Sequence, residues 1–528
     1  MKFTFVVLVL SLSFFSGGAP SEHFLFRQDN GSGEFPQPIL TKHKDWIVLY
    51  NAAWQFARSH INAGTEENGF ADLYMDEGFN PLIFQWDTAF MTLFGKYALN
   101  SFPVMPSLDN FYDKQRDDGF ISRVYWEKDG TYPNEPDSLE PMINPPLYAW
   151  AEWEYYLMTN DTSRFSKTLP VLDKYFNWIK ENCLRKGAEL YYITGFGSGM
   201  DNTPRKNESY VWVDISAQQA LSALYISRMA GVVGDTILEN RYIKEYQNLK
   251  ELINSKLWDD DDGIYYDLKQ DGSYNKIKTI ASFWPMLAEI PDKKQIEKLA
   301  AHLENPDEFW RPHVFPTVSA DMEGSDEAGL YYDPKGYYWR GGVWAPTNYM
   351  VIKGLEKYGY FDLAAKASEN HINNMFYIYK NFIPPEGEVD DFGGGDGKHT
   401  IWEAYSPEYK KPSTTGIKGS PYLAKQNFVG WSGLGPISLL IENLLGFSVD
   451  APNNNLKWRL RLLEKHGMEN LKFGLNTVTL ITEHRSSVED TIKVNVKSNG
   501  EFTLEIDNGL AEYTTTVKRG NNYFTFTK

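Results

Sequence analysis

Three loop segments concentrate the side chains that could do chemistry. Phe84-Gln85-Trp86-Asp87 opens a helix-like run. Gly197-Ser198-Gly199-Met200-Asp201-Asn202-Thr203-Pro204-Arg205 is too rich in glycine for a helix and is stiffened by Pro204. Trp402-Glu403-Ala404-Tyr405-Ser406-Pro407 follows the glycine-rich stretch 393–397. Asp87 reads either as a cap at a helix start or, with Gln85 and Trp86, as a sugar-binding edge. Asp201 reads as a carboxyl held out on rigid backbone, or as the acid of an Asx-turn. Glu403 reads as an acid whose pKa burial would raise, aimed by its neighbours, or as a surface acid beside a turn. Two carboxyls brought together from distant loops are what glycoside hydrolysis needs. One protonates the departing oxygen, and the other activates water or attacks the sugar carbon. That chemistry requires no metal and no organic cofactor, and neither is expected. Glu386, Glu388, Asp390, Asp391 and Asp396 share the long loop with Glu403, so residue type alone leaves the choice among these acids open.

The segments must be positioned by something, and from about residue 43 to 446 that something reads as helices. Trp46, Tyr50, Ala53, Trp54 and Ala57 lie on one apolar helix face. Similar patterns recur around 86–99, 142–158, 168–184, 214–231, 235–256, 280–303, 343–358, 360–378 and 431–446, which predicts roughly ten to twelve helices. The connections alternate between short turns and long stretches of about 40–50 residues, and long loops in a compact domain are usually functional. Hairpins of helices with short turns on one side and decorated loops on the other predict a mainly α fold, an α/α toroid whose loop side builds a pocket. An α-solenoid is disfavoured because no sequence repeat of fixed period is present. After about 450 the period becomes two. Ile492, Val494 and Val496, then Phe502, Leu504 and Ile506, alternate with polar residues around Asn499-Gly500, a hairpin signal. The expected division is a signal peptide at 1–21, a helical catalytic domain at 22–450 and a small β-domain at 451–528. Ala451-Pro452-Asn453-Asn454-Asn455 is the expected linker.

Composition narrows the partners. The chain of 528 residues is 42% hydrophobic and 23% charged, ordinary for a globular protein. Its 16 Trp, 33 Tyr and 32 Phe supply flat faces with polar edges that suit sugar rings. A formal net charge of −18 repels nucleic acid and anionic membranes, and excludes both as partners. One cysteine, Cys183, excludes an intramolecular disulfide and thiolate metal clusters and reads as a buried, inert thiol. Lys2, the apolar run Phe3 to Phe15 and the small residues Ser16 to Ala19 form a secretory signal, too short to span a bilayer. A secreted or periplasmic location is expected, with no membrane span. Asp259-Asp260-Asp261-Asp262-Gly263 lacks the spacing of a calcium loop and reads as a solvated turn. His313 and His399 sit outside any zinc-hydrolase pattern.

Six blocks carry a resemblance. Gln85-Trp86-Asp87, Asn144-Pro145-Pro146, Ser198 to Arg205, Tyr338-Trp339-Arg340-Gly341-Gly342-Val343-Trp344, Trp402 to Pro407 and Phe428-Val429-Gly430-Trp431-Ser432 occur in the order seen in family 63 glycoside hydrolases and their bacterial relatives, which this sequence resembles across about 84–432. The resemblance implies an (α/α)6 barrel and an inverting, exo-acting hydrolase of α-linked glucosides or related α-glycosides. It implies Asp201 as general acid and Glu403 as general base. It further implies that Trp86 and Asp87 bind the nonreducing sugar, that Arg340, Trp344 and Trp431 shape the pocket, and that Gln85, Asn144, Asn202, Arg205 and Trp339 belong to the same substrate-binding set. Gly341-Gly342 departs from the Gly-Pro common in the family. Trp344-Ala345-Pro346-Thr347-Asn348 leans towards trehalases, which leaves glucosidase and trehalase both open. Two other classes fit an aromatic toroid: a sugar epimerase or lyase centred on His313 or His399, and a glycan-binding protein without catalysis. The expected partner in every case is an oligosaccharide or glycoside.

Overall fold

The structure, a computed structural model, describes residues 35–133, 143–389 and 394–527. The expected signal peptide at 1–21 lies outside them. Eleven α-helices are found among the described residues: α1 Lys44–Ser59, α2 Gln85–Gly95, α3 Val104–Tyr112, α4 Tyr148–Thr159, α5 Ser163–Asn182, α6 Val213–Val233, α7 Thr236–Lys256, α8 Trp284–Leu287, α9 Lys293–Glu304, α10 Ala345–Lys357 and α11 Phe361–Asn381. A π-helical segment, Gly435–Leu444, completes the helical body.

Side-chain pattern decides where each helix sits. On α1 the buried residues Trp46, Leu49, Tyr50, Ala53, Trp54 and Ala57 form the single stripe expected of a helix packed on one side. By contrast, α6 buries nearly every residue from Val213 to Ala230, as a helix enclosed all round must. Gly234 ends α6 at φ 78°, and Asp235 immediately caps α7 by accepting the Leu238 N–H at 3.0 Å, so the two helices form a tight hairpin. Contacts run in a closed circuit from α2 to α4, α6, α8, α10 and the π-helical segment, then back to α2. Outside this circuit α3 packs on α2, α5 and α7 on α6, α11 on α10, and α1 on the π-helical segment.

Proline explains where helices depart from the sequence reading. The pattern over 142–158 becomes helix only at Tyr148, because Pro145 and Pro146 cannot donate to a preceding turn. The pattern over 280–303 divides into a 3-10 turn, α8 and α9, with Pro285 at the start of α8 and Pro291 in the gap before α9. The long connection after 99 holds α3 and the strand Val124–Trp126, which pairs with Leu82–Phe84 at the entrance to α2.

Two sheets form the C-terminal region. One runs in the order Gln37–Leu40, His466–Phe473, Asn476–Thr482, Ile492–Ser498 and Gly520–Phe526; the other runs Phe447–Asp450, Asn455–Arg459, Phe502–Asp507 and Glu512–Val517. A strand from near the N-terminus therefore closes one edge of the first sheet. The expected linker at 451–455 is instead a hairpin turn between paired strands, with Asp450 accepting from Asn453 and Asn454 at φ 48°. Nor does Asn499-Gly500 close a hairpin: it carries the chain from one sheet to the other. The alternating residues on either side of it are buried, and the two sheets meet where Phe473 packs edge-on against Phe502 at 5.3 Å.

Candidate active site

The site is assembled from loop ends over the helical circuit. Asp87 stands in the first turn of α2 and is buried, with Oδ1 receiving no hydrogen bond among the described residues. Gln85, at the start of the same turn, is spent on the protein. Its amide donates to the carbonyls of Asn144 and Pro145, and its Oε1 accepts from the Asn144 N–H and the Tyr175 hydroxyl. Asn144 in turn donates to the carbonyls of Phe196 and Gly197 at 3.2 and 3.3 Å, fixing the start of the Asp201 loop. That loop packs against the Trp86 ring. Gly199 sits there at φ 76°, where a β-carbon would come within 3.0 Å of the indole, so both the backbone angle and the space select glycine.

Asn202 carries the local bracing that an Asx-turn would have asked of Asp201. Its side chain donates to the Tyr337 carbonyl and accepts the Trp339 N–H at 2.8 Å, while its own carbonyl accepts from Arg340 Nε. Arg340 is fully buried and also reaches the carbonyls of Gly329 and Leu330 and the Asp326 carboxylate. Arg205 lies buried between Asp214 and Asp267, against the Trp212 ring. Both arginines occupy bracing positions rather than ligand-facing ones. Removing Arg205 leaves two buried carboxylates without a cation, so Arg205→Ala is expected to cost about 3–5 kcal/mol of stability. Denaturant unfolding checks this.

Glu403 is held through both its side chain and its backbone. Oε1 accepts the Tyr338 hydroxyl at 3.0 Å, Oε2 accepts the Lys425 N–H at 3.1 Å, and the Glu403 carbonyl accepts Trp431 Nε1 at 3.1 Å. Around it the aromatic wall is continuous: Trp339 stacks on Trp344 at 3.8 Å, and Trp344 meets Trp431 and Tyr338 edge-on.

The three carboxyls act on one another electrostatically. Burial pushes Asp201 up to about 7, the Glu403 charge adds to that, and Arg123 and Lys206 oppose it. Burial together with Glu403, Asp76 and Asp201 raises Asp87 well above the usual carboxylate range. Burial holds the Tyr338 hydroxyl protonated, and Glu403, Asp201 and Asp87 all act on it in the same direction. A site that keeps one carboxyl protonated near neutral pH, opposite a carboxylate fed by donors, can run acid and base chemistry together.

Asp396 is exposed and paired with Lys398; Asp390 and Asp391 lie outside the described residues. His313 is buried against His371, with Nε2 2.8 Å from Nδ1, and His399 lies at the surface, edge-on to Tyr379. Asp259 accepts the N–H groups of Asp261 and Asp262 in a tight turn and pairs with Lys276. Cys183 is buried and its thiol is pushed up to about 12. Four residues that bond to these acids or act on them electrostatically stand outside the site residues read from the sequence: Tyr338, quoted there only as part of the 338–344 block, and Arg123, Asp76 and Glu77, which carry no local signal.

Residues 80–409 match the mannosylglycerate hydrolase MGH1-like glycoside hydrolase domain. The chain belongs to this family of glycoside hydrolases. It is 33% identical over 453 residues to an uncharacterized protein of Borreliella burgdorferi, covering 85% of this chain and 89% of that one. A mannosylglycerate hydrolase of Thermus thermophilus is 36% identical over 147 residues, 27% of this chain and 32% of that one. Among solved structures, a family 63 mannosylglycerate hydrolase from Thermus thermophilus in complex with glucose shares the fold at a TM-score of 0.56 and 18% identity, over 74% of this chain and 99% of that one. The family 63 resemblance read from the six blocks therefore holds. Among the described residues no helix is long and apolar enough to cross a membrane.

Proposed function

We propose that this family member is an inverting, exo-acting hydrolase of α-glycosides, with Asp201 as general acid and Glu403 as general base. The observation that carries the reading is the convergence of Asp201, Glu403 and Asp87 on one another and on Tyr338, with Asp201 lifted to about 7. Asp201 keeps its proton for the departing oxygen, while Glu403, accepting from Tyr338 and the Lys425 N–H, draws a proton from water. The closed circuit of α2, α4, α6, α8, α10 and the π-helical segment, with other helices outside it, supports an (α/α)6 barrel as the scaffold. The apolar run at Phe3–Phe15 supports a secreted or periplasmic location.

Arg123 supports an acidic leaving group. Its guanidinium lies near Asp201, rests 5.4 Å from the centroid of the exposed Phe196 ring and donates to the Phe196 carbonyl. It makes no ion pair among the described residues, and its Nε has no hydrogen-bond partner there. A carboxylate on the aglycone, as in the mannosylglycerate named for the Thermus enzyme, fits that cation. Hydrolysis of mannosylglycerate, glucosylglycerate, trehalose and neutral α-glucosides, followed by proton NMR of the first-formed sugar, tests the reading. The β-anomer is expected first, and the α-anomer first would overturn inversion. Arg123→Ala is expected to raise KM about tenfold or more for the acidic substrate, the cost of a charged hydrogen bond, while sparing neutral glycosides.

A further inference from the structure

The helical circuit has a second end. Asp87 stands in the first turn of α2 and Lys96 caps its C-terminus, about 13 Å further along the axis. In the same way α10 starts beside Trp344 and ends at Lys357. Lys96 and Lys357 line one cavity of about 270 Å³, together with Glu154 of α4, Glu442 of the π-helical segment, and Phe447 and Arg459 of the second sheet. The cavity therefore lies where the far ends of the helices meet the β-sandwich, away from the catalytic loops.

Some of its charges hold one another. Lys96 bridges Glu154 and Glu442 at 2.8 and 3.2 Å, and Lys353 bridges Glu442 and Glu356 at 3.0 and 2.5 Å. Two cations are served less well. Lys357 has Glu289 and the Tyr225 hydroxyl as its polar partners, both at 3.4 Å, and Arg228 already holds Glu289 at 3.0 Å. Arg459 is fixed over the Phe361 ring, 3.8 Å from its centroid. Its nearest carboxylate, Asp507, stands 3.5 Å from Nε, and that buried nitrogen has no hydrogen-bond partner among the described residues. A desolvated cation without close acceptors is costly, and an anion in the cavity would supply them to both side chains. Acceptors are present as well. The Glu154 carboxylate receives one side-chain hydrogen bond, from Lys96, and has lone pairs left for a ligand's hydroxyls. The volume falls near the lower end for small-molecule pockets, about 300 Å³, which selects a compact ligand.

We propose that this cavity is a second ligand site, for a small hydroxylated anion whose charged group is held by Lys357 and Arg459 and whose hydroxyls are accepted by Glu154. The charged group is a phosphate ester or a carboxylate. Isothermal titration calorimetry of the full chain with glycerol 3-phosphate, D-glycerate, inorganic phosphate and glycerol tests this. At least one of the two hydroxylated anions is expected to bind, and the tighter of them tells phosphate ester from carboxylate. Inorganic phosphate and glycerol each lack half of the recognition and should bind about tenfold more weakly or worse. Arg459→Gln and Lys357→Gln should each weaken the anion about tenfold or more, the loss of a charged hydrogen bond. Arg123→Ala, which alters the catalytic pocket, should leave its affinity within about twofold. If circular dichroism shows that Arg459→Gln does not fold, Lys357→Gln decides alone, since Lys357 gives up only contacts of 3.4 Å. Three results overturn the proposal: neither hydroxylated anion binds the wild type; binding is lost in Arg123→Ala and kept in the cavity variants; or inorganic phosphate or glycerol binds as tightly as the anions.

Discussion

Replacing Asp201 with asparagine is expected to lower kcat by about 10²–10⁴-fold, the range a positioned general acid supplies, without weakening the fold. Both halves follow from the same carboxyl. Asp201 must carry its proton to act, so wild-type activity should fall as pH rises through about 7, and the variant should lose that limb. Stability moves the other way. A carboxyl raised from 3.8 to about 7 favours the folded state fully below its unfolded pKa, and that contribution is lost as pH rises through 7. At pH 8 the wild type carries an ionised, desolvated acid that asparagine lacks. Asp201→Asn should therefore raise Tm relative to wild type at pH 8, and the gain should shrink towards pH 4. Thermal scans at the two values check the sign; a variant less stable at pH 8 would mean that Asp201 is a structural acid.

The same contrast explains what the chain discloses and what it hides. Helices were legible where one face repeats, as on α1, and became misleading where proline cut a pattern, as before Tyr148 and around Pro285 and Pro291. Period two identified Ile492–Ser498 and Phe502–Asp507 as strands. It could not say that Asn499-Gly500 passes between sheets, because alternation reports which side is buried and not which strand is the neighbour. The pairing of Gln37–Leu40 with His466–Phe473 joins residues more than four hundred positions apart and leaves no local mark.

At the site, residue type distinguished the acids poorly, since Asp201, Glu403 and Asp396 all stand in glycine-rich surroundings. Burial and partners separate them: Asp396 pairs with Lys398 in solvent, whereas the buried Glu403 carboxyl accepts from the Lys425 N–H and the Tyr338 hydroxyl. Asn202, Arg205, Arg340 and Gln85 share blocks with the acids because the acids need bracing. A block therefore marks where chemistry is held as much as where it happens.

Glu403→Gln is expected to match the loss at Asp201, about 10²–10⁴-fold in kcat, with substrate binding retained. The amide can be accommodated. Its oxygen must face the Lys425 N–H, which only donates, and its NH₂ then faces Tyr338, whose hydroxyl can rotate from donor to acceptor. The aromatic wall is undisturbed, but the group that drew a proton from water is gone. Two mechanisms share this loss and differ in the sugar released. If Glu403 activates water, the wild type frees the β-anomer from an α-glycoside, and no covalent intermediate forms. If Glu403 instead attacks the sugar, the first product is the α-anomer, and Asp201→Asn, slow to release its sugar, should accumulate a glycosyl ester on Glu403 visible by intact mass. Inversion requires the carboxyls to stand roughly 6.5–9.5 Å apart, with water between them, against about 5–5.5 Å for retention. NMR of the first minutes of hydrolysis, together with the mass of Asp201→Asn under turnover, therefore decides whether Glu403 is a base or a nucleophile.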